Sequence, residues 1–286
     1  MANLSLNPMA TTNAAGSFGV QSDGFIQGVA LDDPANRFNL ASGTVAATET
    51  KPLWGGLPVA ELLPGVNSSP RGSTIRRAVS LAELEGFTVF NQAHNGLTTP
   101  QSPVPLYASG MSVSFYRLGS NMRVPLKASA QVVALGTAGA SVKTPLAWDF
   151  VNNQVTTAAA AAFAGSDIAT TAVTYSNGVA TATTASAHGL TAGQYVKISG
   201  VAPAAYNGTV VVLTVPSTTT FTYAPASAPG GSATTQGTIG AVAQADITLP
   251  VKVISIESGN SKTVSYDSDT GFLTWNNTDS CALVLL

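Results

Sequence analysis

Charge is what this chain has least of. Charged residues make up 9 % of its 286 residues, against roughly 25 % in an ordinary globular domain. With 12 Lys and Arg against 14 Asp and Glu the formal net charge is −2, so no overall basic field gathers nucleic acid and no acidic tail solvates a disordered chain. The single cysteine, Cys281, excludes an intrachain disulfide framework and a cysteine-based zinc site, and fits assembly in a reducing cytosol. Only His94 and His188 could supply an imidazole base. The opening MANLSLNPMATTNAAGSFG has neither a basic n-region nor a continuous apolar h-region, so it does not read as a signal peptide. No apolar run approaches the roughly 20 residues that span a bilayer. The expectation is a soluble chain made in the cytoplasm, with no direct nucleic-acid partner and no membrane partner.

What is abundant is Ala, Thr, Ser, Val, Gly and Pro, with 27 Gly and 16 Pro. Thr and Val suit pleated strands, and Gly and Pro punctuate them, which points to an all-β fold with many turns. Residues 1–70 carry irregularly spaced apolar anchors (Phe18, Phe25, Leu53, Trp54, Leu62) and read as an extended N-terminal arm. Ser80 and Glu83 have capping-box spacing and Gly86 stands where a helix would stop, which predicts one short helix in Arg76–Gly86. Strands are predicted at Phe87–Phe90, at Met111–Leu118, where apolar Met111, Val113 and Phe115 alternate with Ser112 and Ser114, and at Ala130–Leu135.

The run AAAAAFAG at 158–165 reads as a low-complexity connector, after which charge almost vanishes: between Ile168 and Ala245 the only charged side chain is Lys197. Five short strands are predicted there, at 172–175, 178–184, 195–199, 208–215 and 219–223, with Asn-Gly turns at Asn177-Gly178 and Asn207-Gly208. That is a small sandwich or barrel, Ig-like or SH3-like, over 166–241. Longer, more charged strands follow at 251–256, 263–267, 271–275 and 281–286. An echo links Trp148-Asp149…Val155-Thr156 with Tyr266-Asp267…Leu273-Thr274 at equal spacing. It suggests that 71–157 and 242–286 form one discontinuous β-barrel or sandwich domain into a loop of which 166–241 is inserted.

Chemistry is sparse. His94 lies beside the Asn95-Gly96 turn signal, His188 lies in AHGLTAGQYVKISG, and no G-x-S-x-G elbow accompanies either; both read as turn or surface residues. Asp267-Ser268-Asp269-Thr270-Gly271 resembles half of a calcium loop but lacks the later Glu, so a hairpin turn is the better reading. No catalytic residue, metal ligand or cofactor is assigned, and the chain is not expected to be an enzyme. Arg71, Arg76 and Arg77 form the one basic cluster. With Leu53 and Trp54 they are the candidates for contact with a protein surface, because aromatic and Arg residues dominate interface energetics.

Two stretches resemble known proteins. The order HGLTAG…VKISG…YNGTV…TFTY over 188–223 resembles a small β domain inserted in, or appended to, virion proteins of tailed bacteriophages. Gly28-Val29-Ala30-Leu31-Asp32-Asp33-Pro34 and Lys51-Pro52-Leu53-Trp54-Gly55-Gly56 look like phage proteins of the capsid decoration, or cement, type. The resemblance implies a protein on the outer capsid surface of a virion that stabilises contacts between major capsid subunits. Its implied partners are the major capsid protein and itself, as a homotrimer. A tail or fibre component, or a glycan-acting enzyme, are the alternatives.

Overall fold

In a computed structural model of the chain, the described residues are 10–13, 20–22, 24–30, 39–64, 72–90, 97–99 and 102–286. The fold is mostly β and falls into two compact units. One, here the carrier, comprises Met1–Ala78, Glu83–Lys143 and Pro250–Leu286; the other, the inserted unit, comprises Thr144–Leu249 and the short excursion Val79–Ala82.

The carrier is built around a closed five-stranded barrel, in the order Ser112–Arg117, Leu40–Val45, Ser73–Arg77, Pro58–Leu62, Gly86–Val89. Leu40–Val45 and Ser73–Arg77 pair in parallel, and the other pairs are antiparallel. Val113 and Phe115 point inward while Ser112 stays exposed, as alternation requires. A second sheet joins Arg123–Lys127 to the long hairpin Lys252–Tyr266 and Leu273–Leu285, so the four C-terminal strands predicted separately are two bulged ones. A third sheet holds Leu53–Trp54, Ser102–Tyr107 and Leu97–Thr99.

Residues 39–64 are not part of an arm: they supply two barrel strands, with Leu57 and Val59 fully buried. The predicted helix at 76–86 is a strand followed by the single 3-10 turn Leu81–Glu83. Arg76 and Arg77 pair across the barrel with Ala60 and Val59. Gly86 is required not as a helix stop but because a Cβ there would meet Tyr116 O at 2.2 Å. Ala130–Leu135, read as a strand, lies in helix α1, Ala130–Thr137, whose first turn is capped by Ser129 accepting from Val132 N. One buried residue, Val132, anchors it, so the short apolar run did not separate helix from strand. The alanine connector also opens with a helix, α2, Ala158–Ala161, capped by Thr157. The described chain thus has two helices where one was expected.

The inserted unit contains a closed six-stranded barrel, in the order Ile168–Ser176, Val179–Thr184, Thr220–Tyr223, Gly208–Ser217, Tyr195–Ser199, Thr238–Gly240. Its core gathers Phe163, Val173, Leu190, Val196, Ile198, Tyr206, Phe221, Tyr223 and Ile239. Each such side chain removed from water contributes about 1.5–3 kcal/mol. Asn177 and Gly178, both at positive φ (50° and 84°), form the two-residue loop of the first hairpin, the geometry that Asn-Gly favours.

The unit is larger than its barrel. The hairpin Leu146–Asp149 with Gln154–Thr157 belongs to it, as do α2 and the turn at Gln244–Ile247, which share a core of Ala147, Ala158, Ala161, Tyr195, Val211 and Ile247. The boundary therefore lies near 144 and 249 rather than at 157 and 242. The Trp-Asp and Tyr-Asp echo is real as structure but does not mark a shared domain. In both hairpins the aromatic residue pairs with the apolar one seven positions on. In both, the Asp accepts from the next-but-one and following backbone N–H groups. A residue at positive φ, Asn153 or Gly271, closes each loop. The pattern encodes one type of turn, used once in each unit.

Candidate functional site

In the carrier, the residues proposed for surface contact come together, but inward. Leu53 is fully buried and Trp54 is 2 % exposed. The Arg77 guanidinium lies 4.8 Å over the Trp54 ring, Trp54 stacks on Tyr266 at 5.6 Å, and Lys51 Nζ sits 5.8 Å over Tyr266 on the same ladder. Arg77 also donates from its backbone N–H to Glu49 Oε2 at 2.9 Å and from Nη2 to Pro52 O at 3.0 Å. Desolvation pulls its pKa down, with the Glu49 charge opposing. Arg76 is bound to Glu83 Oε1 at 2.7 Å. These side chains hold strands together, so Leu53, Trp54 and Arg77 are withdrawn as contact residues. Arg71 lies outside the described residues. Tyr266 and Lys51, which sequence reasoning missed, are distant in the chain and carry no joint motif.

The two glycine-bearing stretches meet. A Cβ on Gly28 (φ 73°) would lie 2.1 Å from Gly55 C, and one on Gly56 2.8 Å from the Gln27 side chain, so only glycine permits this crossing. Gln27 is 1 % exposed, and its Oε1 accepts from Val264 N at 3.0 Å. Buried Thr88 donates to Trp54 O and accepts from Leu57 N, completing the knot. Asp32, Asp33 and Pro34 lie outside the described residues.

In the inserted unit, His188 is 4 % exposed. Its Nδ1 accepts from Leu190 N at 3.0 Å and its ring meets Phe221 edge-on at 5.5 Å. The lone pair a general base would use is thus engaged in shaping the turn, and the residue is a turn residue but not a surface one. Gly193 (φ 88°) brings the backbone against Asp149, whose Oδ1 would lie 2.5 Å from a Cβ. Tyr195 donates to Trp148 O at 2.6 Å, and burial raises its pKa well above the usual phenol range, the Asp149 charge adding to the rise. Asn207 clasps Val201 with both side-chain atoms, accepting from its N at 2.9 Å and donating to its O at 2.8 Å. Tyr223 donates to Tyr206 O.

Asp149 is the hub that sequence reading did not single out. Only 7 % exposed, it accepts from Val151 N, Asn152 N, Asn152 Nδ2 and Gln154 Nε2, which saturates a buried carboxylate. Its echo, Asp267, makes the analogous exposed turn: Thr270 Oγ1 donates to Oδ2 at 2.7 Å, and these bonds hold the carboxyl below its usual range. Cys281 is fully buried, and burial pushes its thiol up to about 12. Among the described residues no group of three or more His, Cys, Asp or Glu gathers to hold a metal. His94 lies outside the described residues. The geometry of these residues organises turns, strand crossings and cores. No family model, curated protein or solved structure matches the chain.

Proposed function

We propose that the chain is a virion structural protein of a tailed bacteriophage, of the capsid decoration type. The carrier binds the outer face of the shell and bridges neighbouring major capsid subunits against the pressure of the packaged DNA. A homotrimer at local threefold positions is the form that shell symmetry favours.

The observation that carries the reading is that the inserted unit, which holds a complete six-stranded barrel, interrupts the carrier chain between helix α1 and the strand Lys252–Tyr266, after the last strand of the five-stranded barrel, Ser112–Arg117. The two ends of the inserted unit are tied by Leu249 N donating to Leu146 O at 2.8 Å. Such an insertion lets a host fold carry a second module without losing its own strands. The stretches that resemble phage virion proteins are also the ones that shape each barrel: Gly28 with Gly55 in one, His188, Gly193 and Asn207 in the other. In place of the buried candidates, the contact residue offered is Leu63, 93 % exposed at the end of the strand Pro58–Leu62.

Immunogold labelling of intact particles tests the location. Label on heads supports the reading; label confined to tails replaces it with a tail or fibre component. Heads stripped of the protein are expected to rupture at lower temperature than decorated heads, and equal rupture temperatures remove the cementing role. Leu63→Asp is expected to lower occupancy on heads while leaving the melting of the free protein unchanged.

A further inference from the structure

We propose that the Asn177-Gly178 turn of the inserted barrel is a site of spontaneous covalent modification, at which Asn177 loses its amide to become aspartate or isoaspartate. Two Asn-Gly pairs of the same barrel differ in how the carboxamide is held. At Asn207-Gly208 the carboxamide is clamped by both its atoms on Val201, at 2.9 and 2.8 Å. At Asn177-Gly178 both residues are exposed and, among the described residues, no hydrogen bond restrains the carboxamide; a Cβ built on either Gly178 or Gly208 meets nothing within 4 Å, so the two pairs differ at the asparagine.

The reaction needs only water and a base. The Gly178 amide nitrogen, its proton taken by solvent, forms a bond to Asn177 Cγ. The Cγ–Nδ2 bond breaks and Nδ2 leaves as ammonia after accepting a proton, which closes a five-membered imide. Water then adds to one of the two imide carbonyls and breaks one C–N bond. Opening at one side restores the original main chain with an Asp; opening at the other routes the main chain through the side-chain carboxyl, giving isoaspartate. No electrons are exchanged with any other group.

The step requires Asn177 Cγ to swing toward the Gly178 nitrogen by rotation about the side chain's χ1 and the backbone ψ of Asn177. An unclamped two-residue tip permits that rotation, whereas at Asn207 it would break both bonds to Val201. The product places a negative charge in a stretch where, between Ile168 and Ala245, Lys197 is the only charged side chain. The isoaspartate form also lengthens a two-residue turn whose register depends on its length.

The test is incubation of the intact protein at mildly alkaline pH, followed over time by peptide mapping in a mass spectrometer and by enzymatic labelling of isoaspartate. Conversion is expected to be roughly tenfold faster at Asn177 than at Asn207, a barrier difference of about 1.4 kcal/mol. In denaturant the two rates are expected to converge, because the clamp on Asn207 is gone. Asn177→Asp, which keeps a residue tolerant of positive φ, is expected to abolish ammonia release from this peptide in the folded protein. Equal rates in the folded protein overturn the proposal, and so does a difference that persists unchanged in denaturant.

Discussion

The two units of this chain reach stability by different means. The inserted unit holds four charged residues, Asp149, Asp167, Lys197 and Asp246, in more than a hundred. It relies on buried aromatics whose hydroxyls reach main-chain carbonyls, as Tyr195 and Tyr223 do, and on the saturated carboxylate of Asp149. The carrier holds the other charged residues and uses them in pairs: Arg117 with Glu61, Arg76 with Glu83, Lys127 with Asp279, and Arg77 on Trp54. The inserted unit should therefore be nearly indifferent to salt, and the carrier less so.

The contrast is sharpest if each unit melts as its own transition. Phe221, fully buried, lies in the core of the inserted unit. Phe221→Ala is expected to cost that unit about 3–5 kcal/mol, lowering one transition in calorimetry and leaving the other in place. Movement of both would show that the units fold as one and would break the comparison. A smaller loss is expected from Gly193→Ala, which forces an L side chain to φ 88° and into Asp149; about 1–3 kcal/mol of backbone strain should appear in the same transition. His188→Ala leaves Leu190 N without its acceptor. Its expected cost is again about 1–3 kcal/mol, and an unaltered melt would mean that the turn stands without the imidazole.

Acid gives the smallest effect, carried in the carrier by two paired carboxylates. Glu61 is held below the usual carboxylate range chiefly by its hydrogen bonds to Arg117. Asp279 is held low although burial opposes it, because Thr263, Ser280 N and Lys127 outweigh burial. A depressed folded-state pKa contributes stability that is present above the unfolded value and lost as pH falls through the folded one. The carrier transition should thus decline as pH drops below about 4. Solvent screening of the exposed Arg117–Glu61 pair limits its share to a few tenths of a kcal/mol. Melts recorded across that range would contradict the comparison if the inserted unit declined first.

Local chemistry made much of the inserted barrel legible. Its strands alternate Thr or Ala with buried groups, its Asn-Gly turn fits one loop geometry, and five of its six strands stand close to where periodicity puts them. The sixth, Thr238–Gly240, is three residues long and has no period to detect. The carrier was harder. Its strands draw partners from 39–64, 73–89 and 112–117, and residues so far apart leave no joint pattern.

Sequence by itself determined that the chain is all-β and that a charge-poor module interrupts a more charged one, and it showed the equal spacing of two aromatic-Asp stretches without the turn they share. These follow from composition and from spacings of a few residues, which fix backbone preference directly. Tertiary structure alone decided that Leu53, Trp54 and Arg77 face inward, that Gly86 serves a strand crossing, and that Trp148 belongs to the inserted unit. Each of these depends on which distant strand lies alongside, and burial is a property of that neighbour as much as of the residue.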